Sequence, residues 1–165
     1  MSEASRPALA YIGLGSNLET PREQLRRALR SLDALPLTQC VARSSLYASA
    51  PIGPQDQPDF VNAVAAIHTR LSPLALLDQL QALEQRHRRV RRRHWGPRTL
   101  DLDLLWYAGL AQYHPRLTLP HPQMPYRRFV LEPLAEIAPD FTLADRPLAS
   151  YLPALADQPL HRLDD

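Results

Sequence analysis

The chain has 165 residues, a formal net charge of +2, 45% apolar and 22% charged side chains, and a single cysteine. That length suits one domain over 1–165, with 1–7 as a flexible tail. The composition is that of a globular protein, with no apolar run near the roughly 18 residues a membrane span needs. The small net charge gives no argument for nucleic acid, Cys40 alone excludes an internal disulfide and suits a reducing cytosol, and the N-terminus, which carries Glu3, lacks the apolar core of a signal peptide.

In chain order, ALAYIGLGSN reads as a first strand ending in a glycine turn. TPREQLRRALRSLDAL then opens a helix with a capping box from Thr20 to Glu23 and Pro21 at its first position. Leu25, Leu29 and Leu32 form its apolar stripe, and Arg22, Arg26 and Arg30 its wet face. A second strand covers Gln39 to Tyr47, and a third, DFVNAVAAIHT, comes after the loop SAPIGPQDQP. Ser72 caps a second helix that starts at Pro73 and turns Leu76, Leu77, Leu80 and Leu83 to the core. The strand TLDLDLLWY comes next, with Gly109 in a turn, then a short strand near Leu117, a proline-broken loop and one or two short helices. The 17 prolines punctuate short elements throughout. The order strand, helix, strand, strand, helix, strand predicts an α+β fold: a ferredoxin-like βαββαβ core with a mostly antiparallel sheet and extra short C-terminal helices. Such a fold carries many activities, so the chemistry must be read from the residues.

Two features carry chemistry. All 19 basic residues are arginine, which excludes a lysine-bearing Walker A loop at Gly13 to Asn17, and seven of them lie between Arg86 and Arg98. Such a run at a helix end is ordinarily a solvated charge cluster; as a functional element it is a phosphate clamp, because guanidinium forks pair with phosphate oxygens. The next strand supplies the second feature. Its alternation sets Asp101 and Asp103 on one face and Leu100, Leu102 and Leu104 on the other. Carboxylates whose attachment points are roughly 7 Å apart repel by about 2 kcal/mol at an effective dielectric of about 20. Either that face is solvated or a cation belongs between them. Magnesium fits the second case, since it takes one or two carboxylates and completes its shell with water and substrate phosphates.

The segment WGPRTLDLDLL, with GPQDQPDFVNA upstream and RLTLPHP and RRFVLEPL downstream, resembles the 6-hydroxymethyl-7,8-dihydropterin pyrophosphokinase family over about Tyr11 to Pro139. The resemblance implies a three-layer α/β fold, a cytoplasmic location, and transfer of pyrophosphate from ATP to a pterin hydroxymethyl group with two Mg²⁺ ions and release of AMP. It implies that Asp101 and Asp103 are metal ligands and that, with Arg89 and Arg98, they form the catalytic set. It places ATP against Gln81, Glu84, Arg89, Trp95, Arg98, Leu104, Arg116, Thr118, His121 and Arg127. It places the pterin against Ser49, Pro51, Ile52, Phe60, Asn62, Trp95, Asp101 and Phe129, with the two phenylalanines stacking and Asn62 reading the ring edge. Read alone, Phe60 and Phe129 would be core residues, His121 a loop histidine, and Gln81 and Glu84 surface residues, with Glu84 paired to Arg88. Phe60 stands where some members have tyrosine, and Ala50 and Pro122 replace a proline and an aromatic found in some members. The partners implied are small molecules only, with no nucleic acid, no membrane and a monomeric state. The segment from about Arg86 to Pro97 is expected to close over bound ligands.

Two rivals share parts of this pattern. An RNA-binding module would use the arginines, but the aspartates would repel phosphates and the aromatic signature of such sheets is missing. A two-metal nucleotidyltransferase or nuclease would use the same aspartate pair.

Overall fold

The computed structural model describes residues 6–50, 59–90 and 100–163, and of 88–90 the backbone only. Strand β1 (Ala8–Ser16) leads into helix α1 (Pro21–Asp33), then β2 (Thr38–Arg43), β3 (Tyr47–Ser49), β4 (Phe60–Thr69), helix α2 (Pro73–Val90) and β5 (Leu100–Tyr107). The main sheet runs β3, β4, β1, β5, with β2 also on β4 and every pairing antiparallel. This is the ferredoxin-like order expected. The central strand β4 is buried from Val61 to Ile67, as a strand covered on both faces must be.

Helices α1 and α2 cover one face. Leu25, Leu29 and Leu32 of α1 and Leu76, Leu77, Leu80 and Leu83 of α2 pack with Ile12, Leu14, Ala63, Ala65, Leu100, Leu102 and Leu104. At the start of α2 the Ser72 Oγ accepts the Ala75 N–H at 3.2 Å, which is the expected cap. The start of α1 differs from the expectation. Thr20 lies in the left-handed region at φ 53°, makes no side-chain cap and donates its hydroxyl to the Glu19 carbonyl at 2.6 Å, while Glu23 pairs with Arg26. With the backbone turned that way no capping box forms, and Pro21 alone marks the helix start.

The chain beyond β5 covers the other face. A hairpin of β6 (Gln112–His114) and β7 (Leu117–Leu119) precedes helix α3 (Arg128–Ile137), the two-residue pair β8 (Thr142–Leu143) and β9 (Arg146–Pro147), two 3-10 turns, and β10 (Leu160–Arg162). Val130, Leu131 and Leu134 of α3 pack on Tyr11, Val64, Ala66 and Leu105. Leu105 continues the face of Asp101 and Asp103 by simple alternation, and the bulge beside it, where Ile12 faces Leu104 and Tyr11 faces Trp106, brings Trp106 to the second core as well and returns Tyr107 to the first. The result is three layers, with β10 adding a strand on β3 that the sequence pattern does not reveal.

The single strand expected over Gln39 to Tyr47 is two strands. Ser44 ends β2 by exchanging bonds with Val64: its amide donates to the Val64 carbonyl and its hydroxyl accepts the Val64 N–H. Glu136 of α3 holds the break. Its carboxylate accepts the Ser45 amide and hydroxyl, the Tyr47 hydroxyl at 2.7 Å and the Arg162 guanidinium at 3.3 Å, joining α3, β3 and β10. Burial alone would raise the Glu136 pKa, but the bonds from Tyr47 and Ser45 and the charge of Arg162 outweigh it and lower it; the Tyr47 hydroxyl is pushed well up by burial and by Glu136. A carboxylate depressed in the folded state contributes stability above its unfolded pKa and loses it as pH falls through the folded value. Glu136→Gln is therefore expected to lower the urea midpoint at pH 7 and to narrow its gap to the parent as pH falls from about 5 to about 3. A gap that is constant with pH in that titration would contradict the ionised role.

Candidate active site

The face of the sheet beneath α3 is built from alternate residues of neighbouring strands. On β4 these are Phe60 and Asn62, on β1 Gly13 and Gly15, and on β5 Asp101 and Asp103. The register places Asn62, Gly15 and Asp101 in one row across the sheet. Ser49 of β3 lies opposite Phe60. The aspartates share this face, and Leu100, Leu102 and Leu104 are buried on the other, as alternation predicts.

Glycine makes the space. The two β1 glycines leave a strip of bare backbone, and above it lies a cavity of about 340 Å³ lined by Gly13, Gly15, Ser49, Phe60, Asn62, Asp101, Asp103, Arg127, Phe129 and Val130. At Gly15 a Cβ would sit 3.1 Å from the Asn62 Oδ1 and 3.8 Å from the Phe60 ring. The turn expected at these glycines is absent, because β1 runs through both of them. The signal for a cavity floor is G-x-G inside an apolar run: a spacing of two in a strand puts both gaps on one face.

Asn62 is buried, and its Nδ2 donates to the Ser49 Oγ at 2.7 Å, which turns its Oδ1 toward Gly15. Truncating it leaves buried polar groups without partners, which typically costs about 1 to 3 kcal/mol. Asn62→Ala is expected to weaken binding of a flat hydrogen-bonding ring in this cavity by roughly tenfold or more while leaving ATP affinity near that of the parent. Calorimetric titration of each ligand measures this; equal losses for both would show that Asn62 only supports the fold.

A second compartment lies at the outer edge of β5. It is a cleft of about 310 Å³ lined by Leu77, Gln81, Glu84, Leu102, Asp103, Leu104, Arg116, Thr118, His121 and Pro122. It brings together six of the residues expected around the nucleotide: Gln81, Glu84, Leu104, Arg116, Thr118 and His121. Arg116 donates to Asp78 at 2.6 Å and to Gln81 at 3.0 Å, and the Leu102 amide donates to the Glu84 carboxylate at 2.8 Å. Asp103 borders both compartments. Arg127, expected at the nucleotide, lines the first cavity, with its guanidinium 5.6 Å over the Phe129 ring, and its charge also reaches Asp103 and His121 of the cleft. The expected residues Pro51, Ile52, Trp95 and Arg98, the side chains of Arg88 and Arg89, and most of the segment expected to close lie outside the described residues.

The electrostatics centre on Asp103. Burial, with a smaller contribution from the charge of Asp101, raises its pKa against the opposing pull of His121 and Arg127. Burial lowers the pKa of His121 and Arg127 adds to this, while Asp103 opposes. The His121 Nδ1 accepts the Gln123 N–H at 3.1 Å, so the neutral ring carries its proton on Nε2. A half-desolvated carboxylate beside another is a poor resting place for two negative charges and a good one for a hard divalent cation. Among the described residues no group of three or more His, Cys, Asp or Glu side chains could hold a metal. Two carboxylates on one face are a donor set that Mg²⁺ accepts, with the rest of its shell drawn from water and phosphate.

Comparison with known proteins agrees. Residues 11–139 match the family described as 7,8-dihydro-6-hydroxymethylpterin-pyrophosphokinase. The chain is 54% identical over 143 residues to the 2-amino-4-hydroxy-6-hydroxymethyldihydropteridine pyrophosphokinase of Haemophilus influenzae, covering 87% of this chain and 89% of that one. It is 53% identical over 154 residues to the protein of the same name from Pseudomonas aeruginosa, covering 93% and 95%. Among solved structures it resembles a Plasmodium falciparum HPPK-DHPS chain with a TM-score of 0.72 at 14% identity, a likeness of fold that covers 93% of this chain and 46% of that one. With the family match extending through both compartments, the chain belongs to the 7,8-dihydro-6-hydroxymethylpterin-pyrophosphokinase family.

Proposed function

We propose that this chain transfers the β,γ-diphosphate of ATP to the hydroxymethyl group of 6-hydroxymethyl-7,8-dihydropterin and releases AMP, as an enzyme of folate biosynthesis. The observation that carries the assignment of sites is the position of Asp103, on the wall between a cavity suited to a flat ring and a cleft edged by polar and cationic groups. The pterin lies over Gly13 and Gly15, stacked between Phe60 and Phe129, with its edge on Asn62 and Ser49. The nucleotide lies in the cleft along Gln81, Thr118 and Arg116, its phosphates pointing to the aspartates. His121 presents its Nε2–H to a phosphate oxygen, and Arg127 adds positive charge beside the transferring group.

The reaction is a displacement at the β-phosphorus: the hydroxymethyl oxygen forms the new P–O bond, the bond to the α-phosphate oxygen breaks, and AMP leaves. Asp101 and Asp103 would hold two Mg²⁺ ions, which when bound neutralise charge along the phosphate chain. Asp103 borders both compartments, which places it to accept the hydroxymethyl proton. Holding both substrates in line can itself supply much of the acceleration. Arg89, Arg98 and Trp95 complete the phosphate side in this reading. The enzyme works as a cytosolic monomer on small molecules, without nucleic acid or membrane.

Incubation with Mg²⁺, ATP and the dihydropterin is expected to give AMP and a pterin diphosphate in equal amounts. Formation of ADP, inorganic pyrophosphate with an adenylylated acceptor, or cleaved nucleic acid by the folded protein would overturn the assignment.

A further inference from the structure

Glu84 lines the nucleotide cleft, yet one of its oxygens is already engaged by the protein itself. Among the described residues, strand β5 ends the main sheet and pairs only with β1, so its outward backbone groups have no neighbouring strand there. Leu102 is the residue between the two aspartates, and its outward amide donates to the Glu84 Oε2 at 2.8 Å. Further along the same edge the His121 amide donates to the Leu105 carbonyl at 2.8 Å. The two fasteners bracket Asp103. On the inner side β1 holds Asp101 opposite Gly15 and Asp103 opposite Gly13. A twist at Leu102 would swing Asp101 and Asp103 together, because the peptide units on either side of it carry both of them.

We propose that Glu84 is a positioning residue for the aspartate pair, acting through the Leu102 N–H to fix the direction of both carboxylates. The proposal rests on the reading of Asp101 and Asp103 as cation ligands. Its chemistry is that of an acceptor: a carboxylate accepts a backbone N–H strongly, and a glutamine carbonyl can accept the same bond without the charge.

The test compares Glu84→Ala with Glu84→Gln. Amide hydrogen exchange at Leu102 in the ligand-free protein reads the bond directly. Mn²⁺ affinity, measured by calorimetry with an unreactive ATP analogue, reads the aspartates, and kcat and the KM for ATP read the outcome. Glu84→Ala is expected to speed Leu102 exchange by roughly tenfold or more, to weaken Mn²⁺ binding and lower kcat by a similar factor, and to leave the KM for ATP within about twofold. Glu84→Gln is expected to recover most of each loss.

The proposal is overturned if Glu84→Gln keeps slow Leu102 exchange but loses Mn²⁺ binding as Glu84→Ala does, for then the charge acts on the ligands. It is overturned equally if Glu84→Ala speeds exchange with Mn²⁺ binding intact, or if its main effect is a raised KM for ATP. Because exchange and Mn²⁺ binding need no turnover, failure of the reaction assignment would leave this test standing.

Discussion

Replacing Asp103 by alanine is expected to lower kcat by about a thousandfold or more, which corresponds to roughly 4 kcal/mol of transition-state stabilisation, and Asp101→Ala is expected to do the same. Both carboxylates line the cavity and Asp103 borders the cleft as well, so losing either one disturbs the charge balance across the transferring group. Stability should move the other way. Asp103 is held above its ordinary pKa chiefly by burial, so ionising it disfavours the folded state. The penalty is absent below the unfolded pKa, near 4, grows as pH rises toward the folded value and is complete above it. In metal-free buffer at pH 7, Asp103→Asn should therefore unfold at higher urea than the parent, with the gap closing as pH falls toward about 4. AMP release at saturating Mg²⁺ and urea titration test the pair of statements. Near-normal turnover, or a less stable variant at neutral pH, would contradict them.

The second large effect is expected at Gly15. A Cβ there would lie 3.1 Å from an Asn62 oxygen whose side chain is held by the 2.7 Å bond to Ser49, so any shift of it strains that bond. Valine suits a strand and should leave the sheet formed, but its methyl groups would occupy the floor of the cavity. Gly15→Val is expected to weaken pterin binding by roughly a hundredfold or more while an ATP analogue binds nearly as before, since the cleft lies beyond β5. Parallel calorimetric titrations decide it. Unchanged pterin affinity would mean that the ring does not rest on β1.

Where the sequence is legible, periodicity and backbone chemistry carry it. Alternation in LDLDLL places the aspartates opposite a leucine face, and the leucine spacing of α1 and α2 names the buried stripes. The features that escape it are set by partners far away in the chain. The break after Arg43 depends on Val64 and Glu136, and β10 needs the edge of β3. Thr20 is forced into the left-handed region against the preference of a β-branched residue, so its capping motif misleads. Gly13 and Gly15 look like a turn because glycine usually marks one; their spacing of two is the hint that they are gaps on one face, and the strands on either side make them a floor. The bond from Leu102 to Glu84 joins residues 18 apart and leaves no local trace.

The measurement that bears most directly on the assignment of both compartments is a crystal structure with Mn²⁺, an unreactive ATP analogue and the dihydropterin, read by anomalous scattering at the manganese edge. Manganese is expected on Asp101 and Asp103, the ring over Gly13 and Gly15 between Phe60 and Phe129, and the nucleotide in the cleft beside Thr118 and His121. Manganese bound away from both aspartates, or the two ligands competing for one compartment, would contradict it.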